Sequence, residues 1–377
     1  MGFGTLAIIA MAGVIGLLLS LRSGWGVPIV LGELVAGMVL GVSGFDLLHS
    51  QDPIFTFMAN IGFALVMFVA GSHVPVRDPL LRRGIRPGIL RAVAVGVIAA
   101  PLGLGIAALF DTGNGALYAV LLAASSSSLI LPMVDSLQLH GPAMSQLLPQ
   151  VAIADASCIV ALPLVIDPAH AGRSALGACA VIGCSVLLYF GLRKVELAGT
   201  RKRVHRMSER RKFTVELRVS LAILFALAAV AVVTHVSIML AGFGFGLVVS
   251  AIGQPRRLAK QLFALTEGFL GPLFFVWLGA SLDIRGLGQH PSVILLGLAL
   301  GVGAMLTHVS MRSTGQPISI GALACAQIGV PVAAVTLGTQ LNLLEPGEAP
   351  GVSVGAVGGF ECSGHRWCGQ VSQSGGE

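Results

Sequence analysis

Long apolar stretches bounded by proline, glycine or charge follow one another along the chain, at 6–21, 28–44, 54–71, 88–110, 116–138, 144–166, 174–192, 218–235, 237–252, 262–282, 291–311 and 317–338. Most are long enough, at about 1.5 Å per helical residue, to cross the roughly 30 Å hydrocarbon layer of a bilayer. None alternates with the period of two expected of a lipid-facing strand, and a helix satisfies its own backbone polar groups in lipid. The pattern predicts an all-α integral membrane protein of about twelve transmembrane helices joined by short connections. The stretch 237–252 is short enough to tilt or to re-enter. The first run lacks a basic start and is followed by further spans, so it reads as a retained helix rather than a cleaved leader.

Composition agrees with that pattern. Of 377 residues, 55% are hydrophobic and only 11% charged, far from the roughly 25% charge of a soluble domain, and the mean hydropathy is +0.89. Fifty glycines against three tryptophans and two tyrosines make an apolar content that lets membrane helices approach closely. A soluble enzyme, a nucleic-acid binder and a collagen-like chain are excluded. Nothing in the pattern is a nucleophile–base pair, a phosphate loop or a cofactor motif, so neither an enzyme nor a cofactor is expected.

The net charge of +6 reflects topology. With the N-terminus outside, twenty of the 23 Lys and Arg residues fall in inward loops, and only Arg173, Arg285 and Arg366 fall elsewhere, as the positive-inside rule requires. The densest stretch, Arg193 to Arg218, is placed in the cytoplasm, either as a lipid-facing topogenic loop or as a hinge between two halves. Cys158, Cys179, Cys184 and Cys325 lie in apolar runs as small hydrophobes. Cys362 and Cys368 flank His365 in a polar tail, but three candidates fall short of the four ligands a structural metal wants, and no metal site is assigned.

An ionisable side chain at the bilayer centre costs roughly 2.5–3.5 kcal/mol on insertion scales, so each one is a functional candidate. Asp155 lies in the middle of 144–166, with Gln150 and Ser157 near it in sequence; Glu33, Glu267, His308 and Asn60 are further polar or titratable residues inside spans. A desolvated carboxyl can hold a proton or a metal ion but not both, which is the minimal chemistry of cation:proton exchange; the alternative is a protonated Asp that packs helices together. The run Ser125–Ser128, with Pro132 following, suggests an interrupted helix whose freed carbonyls face an ion, or else small hydroxyls packing between helices.

The stretches GVPIVLGELVAGMVLG (26–41), MANIGFALVMFVAGSHVPVRDPLLRR (58–83), LLAASSSSLILPMVDSL (121–137), ADASCIVALPL (154–164) and TEGFLGPLFFVWLGASLDIRGL (266–287) resemble successive blocks of the monovalent cation:proton antiporter-2 family. These are sodium/hydrogen-exchanger-like membrane domains that include the potassium-efflux antiporters. The resemblance implies inverted repeats, a dimeric scaffold, and a core in which two broken helices cross beside an acidic helix. It implies that Asp155 binds the ion or proton, that Ser125 and Ser126 match a Thr-Ser pair on the first broken helix, and that Pro132 is that helix's proline. Glu33 and Glu267 match acidic positions expected to be structural or funnel-lining, away from Asp155. The implied partners are monovalent cations, protons, lipid and a second copy of the chain in the cell membrane.

The departures from the family pattern also shape the expectation. Ala154 stands where electrogenic members carry a second acid, the eleventh span has no Lys, and Ile328 and Val330 replace residues that are often Arg and Glu. One titrating group then suggests one proton per cation. The domain is assigned to 1–345. Residues 346–377 read as a polar Gly/Ser-rich tail, disordered or produced by a frameshift or truncation, because 349–360 offers only twelve apolar residues where the family has a further span. Loss of that span leaves a non-transporting protein of the same fold, a sensor or scaffold, as the alternative.

Overall fold

The computed structural model describes residues 1–21, 29–74, 76–77, 79–127, 130, 134, 142–197, 215–234, 236–253, 256–282, 291–327 and 329–340. These form fourteen α-helices and no strand. In order they are α1 (Phe3–Leu21), α2 (Ile29–Leu40), α3 (Pro53–His73), α4 (Pro79–Phe110), α5 (Gly115–Ala123), α6 (Pro142–Ile166), α7 (Ala171–Leu197), α8 (Val215–Val233), α9 (Ile238–Ile252), α10 (Arg256–Leu265), α11 (Gly271–Ser281), α12 (Pro291–Val309), α13 (Ile318–Ala324) and α14 (Gly329–Gln340). Eight segments are long and apolar enough to cross a membrane by length and composition; α1 and α9 are shorter apolar helices. Each of the twelve apolar runs coincides with one helix or with a helix pair.

Local chemistry sets several boundaries. Asp52 caps α3, its carboxylate accepting from the N–H groups of Ile54 and Phe55 at 2.9 and 3.1 Å, with Pro53 in the first turn where no N–H is needed. Ser237 caps α9 by accepting from Met239 N–H, and Gly253 ends it at φ +87°. The run 262–282 is not a uniform helix, because a π-helical turn at Thr266–Leu270 joins α10 to α11. A π-bulge of this kind leaves no apolar signature in a sequence.

Two groups of helices emerge from the packing. The scaffold comprises α1–α3 and α7–α11, with α3 against α9 and α2 against α11 as its tightest pairs. The core comprises α4–α6 and α12–α14, in which α4 packs on α5 and α6, and α12 on α4 and α5. The order of three spans, one unbroken span and one broken span occurs twice, in α1–α5 and again in α8–α14. Equivalent spans of the two occurrences are seven apart in the order, an odd number, so the two occurrences run in opposite senses across the membrane.

The scaffold is held by backbone-to-backbone approach and aromatic stacking. A Cβ at Gly37 would lie 2.2 Å from the Val276 carbonyl oxygen, and one at Gly246 would lie 2.3 Å from that of Phe68, so only glycine fits these crossings. Phe63 stacks on Phe274 at 4.8 Å, Phe68 meets Phe245 at 5.0 Å, and Trp277 donates its indole N–H to the Ser50 carbonyl at 3.0 Å.

Candidate functional site at the crossing of two broken helices

The apolar run 116–138 does not continue as one helix. Helix α5 ends at Ala123, Ala124 is extended (φ −70°, ψ 149°), and helical bonding resumes when Ile130 N–H donates to the Ser126 carbonyl. The break therefore falls at the serines and precedes Pro132, which lies outside the described residues. Helix α13 likewise stops at Ala324, and α14 starts at Gly329. The second interruption, at Cys325-Ala326-Gln327, is followed at once by Gly329 and Pro331, residue types that disfavour an uninterrupted helix.

Each break exposes carbonyls that have no intrahelical partner, and each supplies donors to the other. Ser125 Oγ donates to the Ala324 carbonyl at 2.7 Å, and Ser126 N–H donates to the Ala326 carbonyl at 3.0 Å. In the opposite direction, Gln327 Nε2 donates to the Leu121 carbonyl at 2.9 Å. A fourth contact comes from α12, where His308 Nε2 lies 3.2 Å from the Ala124 carbonyl. His308 and Gln327 are buried, and their remaining polar atoms, Nδ1 and Oε1, have no hydrogen-bond partner among the described residues.

Asp155 meets the crossing from α6. It is 3% exposed, and its Oδ2 accepts the Ser127 N–H at 2.9 Å together with a short hydrogen bond from Ser127 Oγ. Because the helix restarts at Ser126, the Ser127 N–H is one of its unfulfilled N-terminal donors, and a carboxylate there faces the positive end of the helix dipole. Oδ1 has no hydrogen-bond partner among the described residues.

The structure thus brings Ser125, Ser126 and Asp155 to one crossing, but the hydroxyl on the carboxylate belongs to Ser127. Two supporting residues do not belong to this cluster. Gln150 is fully buried and accepts from Gln316 Nε2 at 3.1 Å, while Ser157 is exposed. The reason is helical geometry: at about 100° per residue, positions two and five residues away lie on other faces of α6 than Asp155. Ser127 belongs to the serine run that marked the interrupted helix, and Gln327 carried a legible signal of its own as a polar residue inside an apolar run.

Glu33 and Glu267 lie elsewhere, on the wall of a cavity of about 440 Å³ whose lining does not include Asp155. Among the described residues no group of three or more His, Cys, Asp or Glu could hold a metal ion. Cys362, His365 and Cys368 lie outside the described residues, as do 198–214 and the tail from 341 onward.

An all-helical fold with two breaks bonded across a buried aspartate has counterparts among known proteins. The structure of the sodium proton antiporter MjNhaP1 from Methanocaldococcus jannaschii superposes with a TM-score of 0.63, covering 100% of this chain and 97% of that one at 14% identity. In sequence, the chain is 24% identical over 342 residues to YjbQ of Bacillus subtilis (strain 168), named as a candidate Na(+)/H(+) antiporter, covering 84% of this chain and 55% of that protein. It is 24% identical over 288 residues to the Na(+)/H(+)-K(+) antiporter GerN of Bacillus cereus (75% and 72% covered). The glutathione-regulated potassium-efflux system protein KefC of Klebsiella pneumoniae (strain 342) is 27% identical over 304 residues (78% and 48% covered). The chain therefore spans about half the length of YjbQ and KefC. The sequence pattern of the family described as "Sodium/hydrogen exchanger, transmembrane" matches residues 6–353, and the chain belongs to this family of integral membrane proteins.

Proposed function

We propose that the chain is a secondary antiporter that exchanges a monovalent cation, Na+ or K+, for protons by alternating access. The observation that carries this reading is Asp155, buried at the crossing with both Ser127 donors on one carboxylate oxygen. The chemistry balances in one line: the protonated carboxyl gives up its proton as the carboxylate takes the cation, and the reverse occurs on the other side of the membrane. The breaks supply the hinge. Their carbonyls are held by Ser125, Ser126, Gln327 and His308, so the crossing keeps its shape while the core shifts against the scaffold. Ser125 and Ser126 add hydroxyl oxygens to the same region, Pro132 marks the same broken helix, and Gln150 supports α6 through Gln316.

The basic asymmetry of the loops supports an external N-terminus, a cytoplasmic 193–217 and residence in the cell membrane. A homodimer formed through the scaffold fits the family. Protease cleavage of 193–217 from outside right-side-out vesicles would overturn the orientation.

Proteoliposomes loaded with Na+ or K+ and given a pH gradient test the exchange. Wild-type protein should dissipate the gradient when the right cation is present, and Asp155→Asn should not, since Asn keeps the size but carries neither proton nor charge. Undiminished flux in Asp155→Asn would remove Asp155 from the mechanism. No flux from folded wild-type protein with either cation would favour the non-transporting alternative.

A further inference from the structure

A second pair of carboxylates faces a space of its own, away from the crossing. Glu33 on α2 and Glu267 in the π-helical turn both line the 440 Å³ cavity between α2, α3, α11 and the start of α14, together with His73 at the end of α3. The rest of the wall is chiefly apolar: Val66, Met67, Ala70, Phe274 and Phe275 come from the scaffold, and Gly329 and Val332 from the core. Glu33 is 5% exposed and has neither a hydrogen bond nor an ion pair among the described residues. Its stem is backed by α1, since a Cβ at Gly16 would lie 2.9 Å from Glu33 Cγ. A buried charged group without a partner is costly, and the cavity is the place left for one.

Glu33 and Glu267 open onto the same cavity. Like charges facing one low-dielectric cavity repel, and a cation between them replaces repulsion with two attractions. Among the described residues the charged or titratable lining groups are Glu33, Glu267 and His73. The walls contributed by α11 and α14 are uncharged.

We propose that this cavity is a second monovalent-cation site, carried by the scaffold and formed by the two carboxylates of Glu33 and Glu267. It rests on the reading of the chain as a cation exchanger and adds a loading station to it. Asp155 belongs to the core, whereas Glu33 and Glu267 belong to the scaffold; their cation waits beside Gly329 and Val332 for the core to present its site. A cleft of one sign raises the local concentration of its counterion, so the pair acts on capture of the ion and leaves turnover at Asp155 unchanged.

The test uses full-length protein in nanodiscs with radiolabelled sodium, and rubidium as the potassium probe. Asp155→Asn should retain saturable binding of one cation per chain, and Asp155→Asn combined with Glu33→Gln and Glu267→Gln should bind none. In exchange assays Glu33→Gln/Glu267→Gln should raise the cation KM on the order of tenfold, with kcat retained. If Asp155→Asn alone abolishes all binding, the scaffold site does not exist and the Asp155 reading stands. If Asp155→Asn exchanges normally, the Asp155 reading fails, and the binding lost in the Glu33/Glu267 variant still decides the cavity. Glu33 is buried and its variant is vulnerable to misfolding, so the exposed Glu267→Gln is measured alone as well. Unchanged KM and unchanged binding in a monodisperse Glu267→Gln would overturn the proposal.

Discussion

The scaffold and the core solve the same problem in lipid by different means. In the scaffold, α2 against α11 and α3 against α9 come so close that the Cα of Gly37 or Gly246 touches the facing carbonyl, and the backbones keep their own helical hydrogen bonds throughout. In the core, helices are interrupted and their carbonyls are completed by side chains: Ser125 on Ala324, Gln327 on Leu121, His308 on Ala124. The first arrangement is stiff because many small dispersion contacts must be broken together. The second depends on a few directional bonds, each of which can be lengthened or exchanged singly. Under the proposed exchange, the polar site to be alternately opened lies in the second kind of structure, and the part proposed to stay fixed lies in the first.

The comparison can be broken hardest on the scaffold side. Gly37→Val drives a side chain into the Val276 carbonyl and should cost about 3 kcal/mol or more, seen as loss of monodisperse protein and a large fall in unfolding temperature in detergent. Equal stability of that variant would mean that α2 and α11 are not welded as described. On the core side the expected loss is smaller. Gln327→Ala or His308→Ala leaves a buried carbonyl without its donor, worth about 1–3 kcal/mol, and exchange should fall even where the unfolding temperature recovers in added lipid. Gln at 308 keeps a donor and should be milder than Ala. If His308→Ala and Gln327→Ala both transport like wild type, the crossing does not depend on those bonds.

A finer measurement concerns the carboxylate itself. Ser127→Ala removes the hydroxyl from Asp155 and leaves the backbone N–H in place. Losing one hydrogen bond to a charged group costs roughly 1.5 kcal/mol, about tenfold in cation affinity, and should appear as a raised KM with little change in fold stability. The same substitution at Ser125, whose hydroxyl serves the Ala324 carbonyl, should lower stability before it changes affinity. Reversal of that order would exchange the roles assigned to the two serines.

The smallest expected effect is none at all. On the proposed mechanism, with Ala154 beside it, Asp155 alternates between a neutral protonated form and a neutral cation-bound form, so a membrane potential, worth about 2.3 kcal/mol per charge per 100 mV, should leave the exchange rate unchanged. A diffusion potential imposed on vesicles reads this directly, and acceleration or reversal by voltage would bring a second charged group, Glu33 or Glu267 among them, into the transport step.

Those residues also mark what was legible in the sequence. The spans were, because twelve apolar runs, most of them of membrane length, leave a helix as the only economical use of the backbone. The acidic centre was, because one aspartate in the middle of such a run has no ordinary reason to be there. The break in the first discontinuous helix was signalled by the serines, and the chain turns there at Ala124. The break at Cys325–Gln327 had only a local hint, Gln327 with Gly329 and Pro331 just after it, and its carbonyls are held by donors from residues about two hundred positions away. Gln150 and Ser157 were grouped with Asp155 by adjacency in the sequence, and the rotation of the helix separates them. The cavity holding Glu33 and Glu267 is a property of three packed helices and a broken one, which no single stretch encodes.

The reciprocal bonding of the two breaks has a consequence for how the protein is made. Ser125 and its acceptor Ala324 are 199 residues apart, and at 5–20 residues per second a ribosome needs roughly 10–40 s to bridge that interval. During that time the first break is already in or at the membrane while the donors and acceptors that complete it have not been synthesised. The nascent chain must keep those carbonyls and Asp155 wet, at the insertion machinery or in a hydrated groove, and admit the first half to the bilayer interior only when α13 arrives. Codon changes that slow synthesis between positions 200 and 320 should therefore lower the yield of folded protein without altering a single residue.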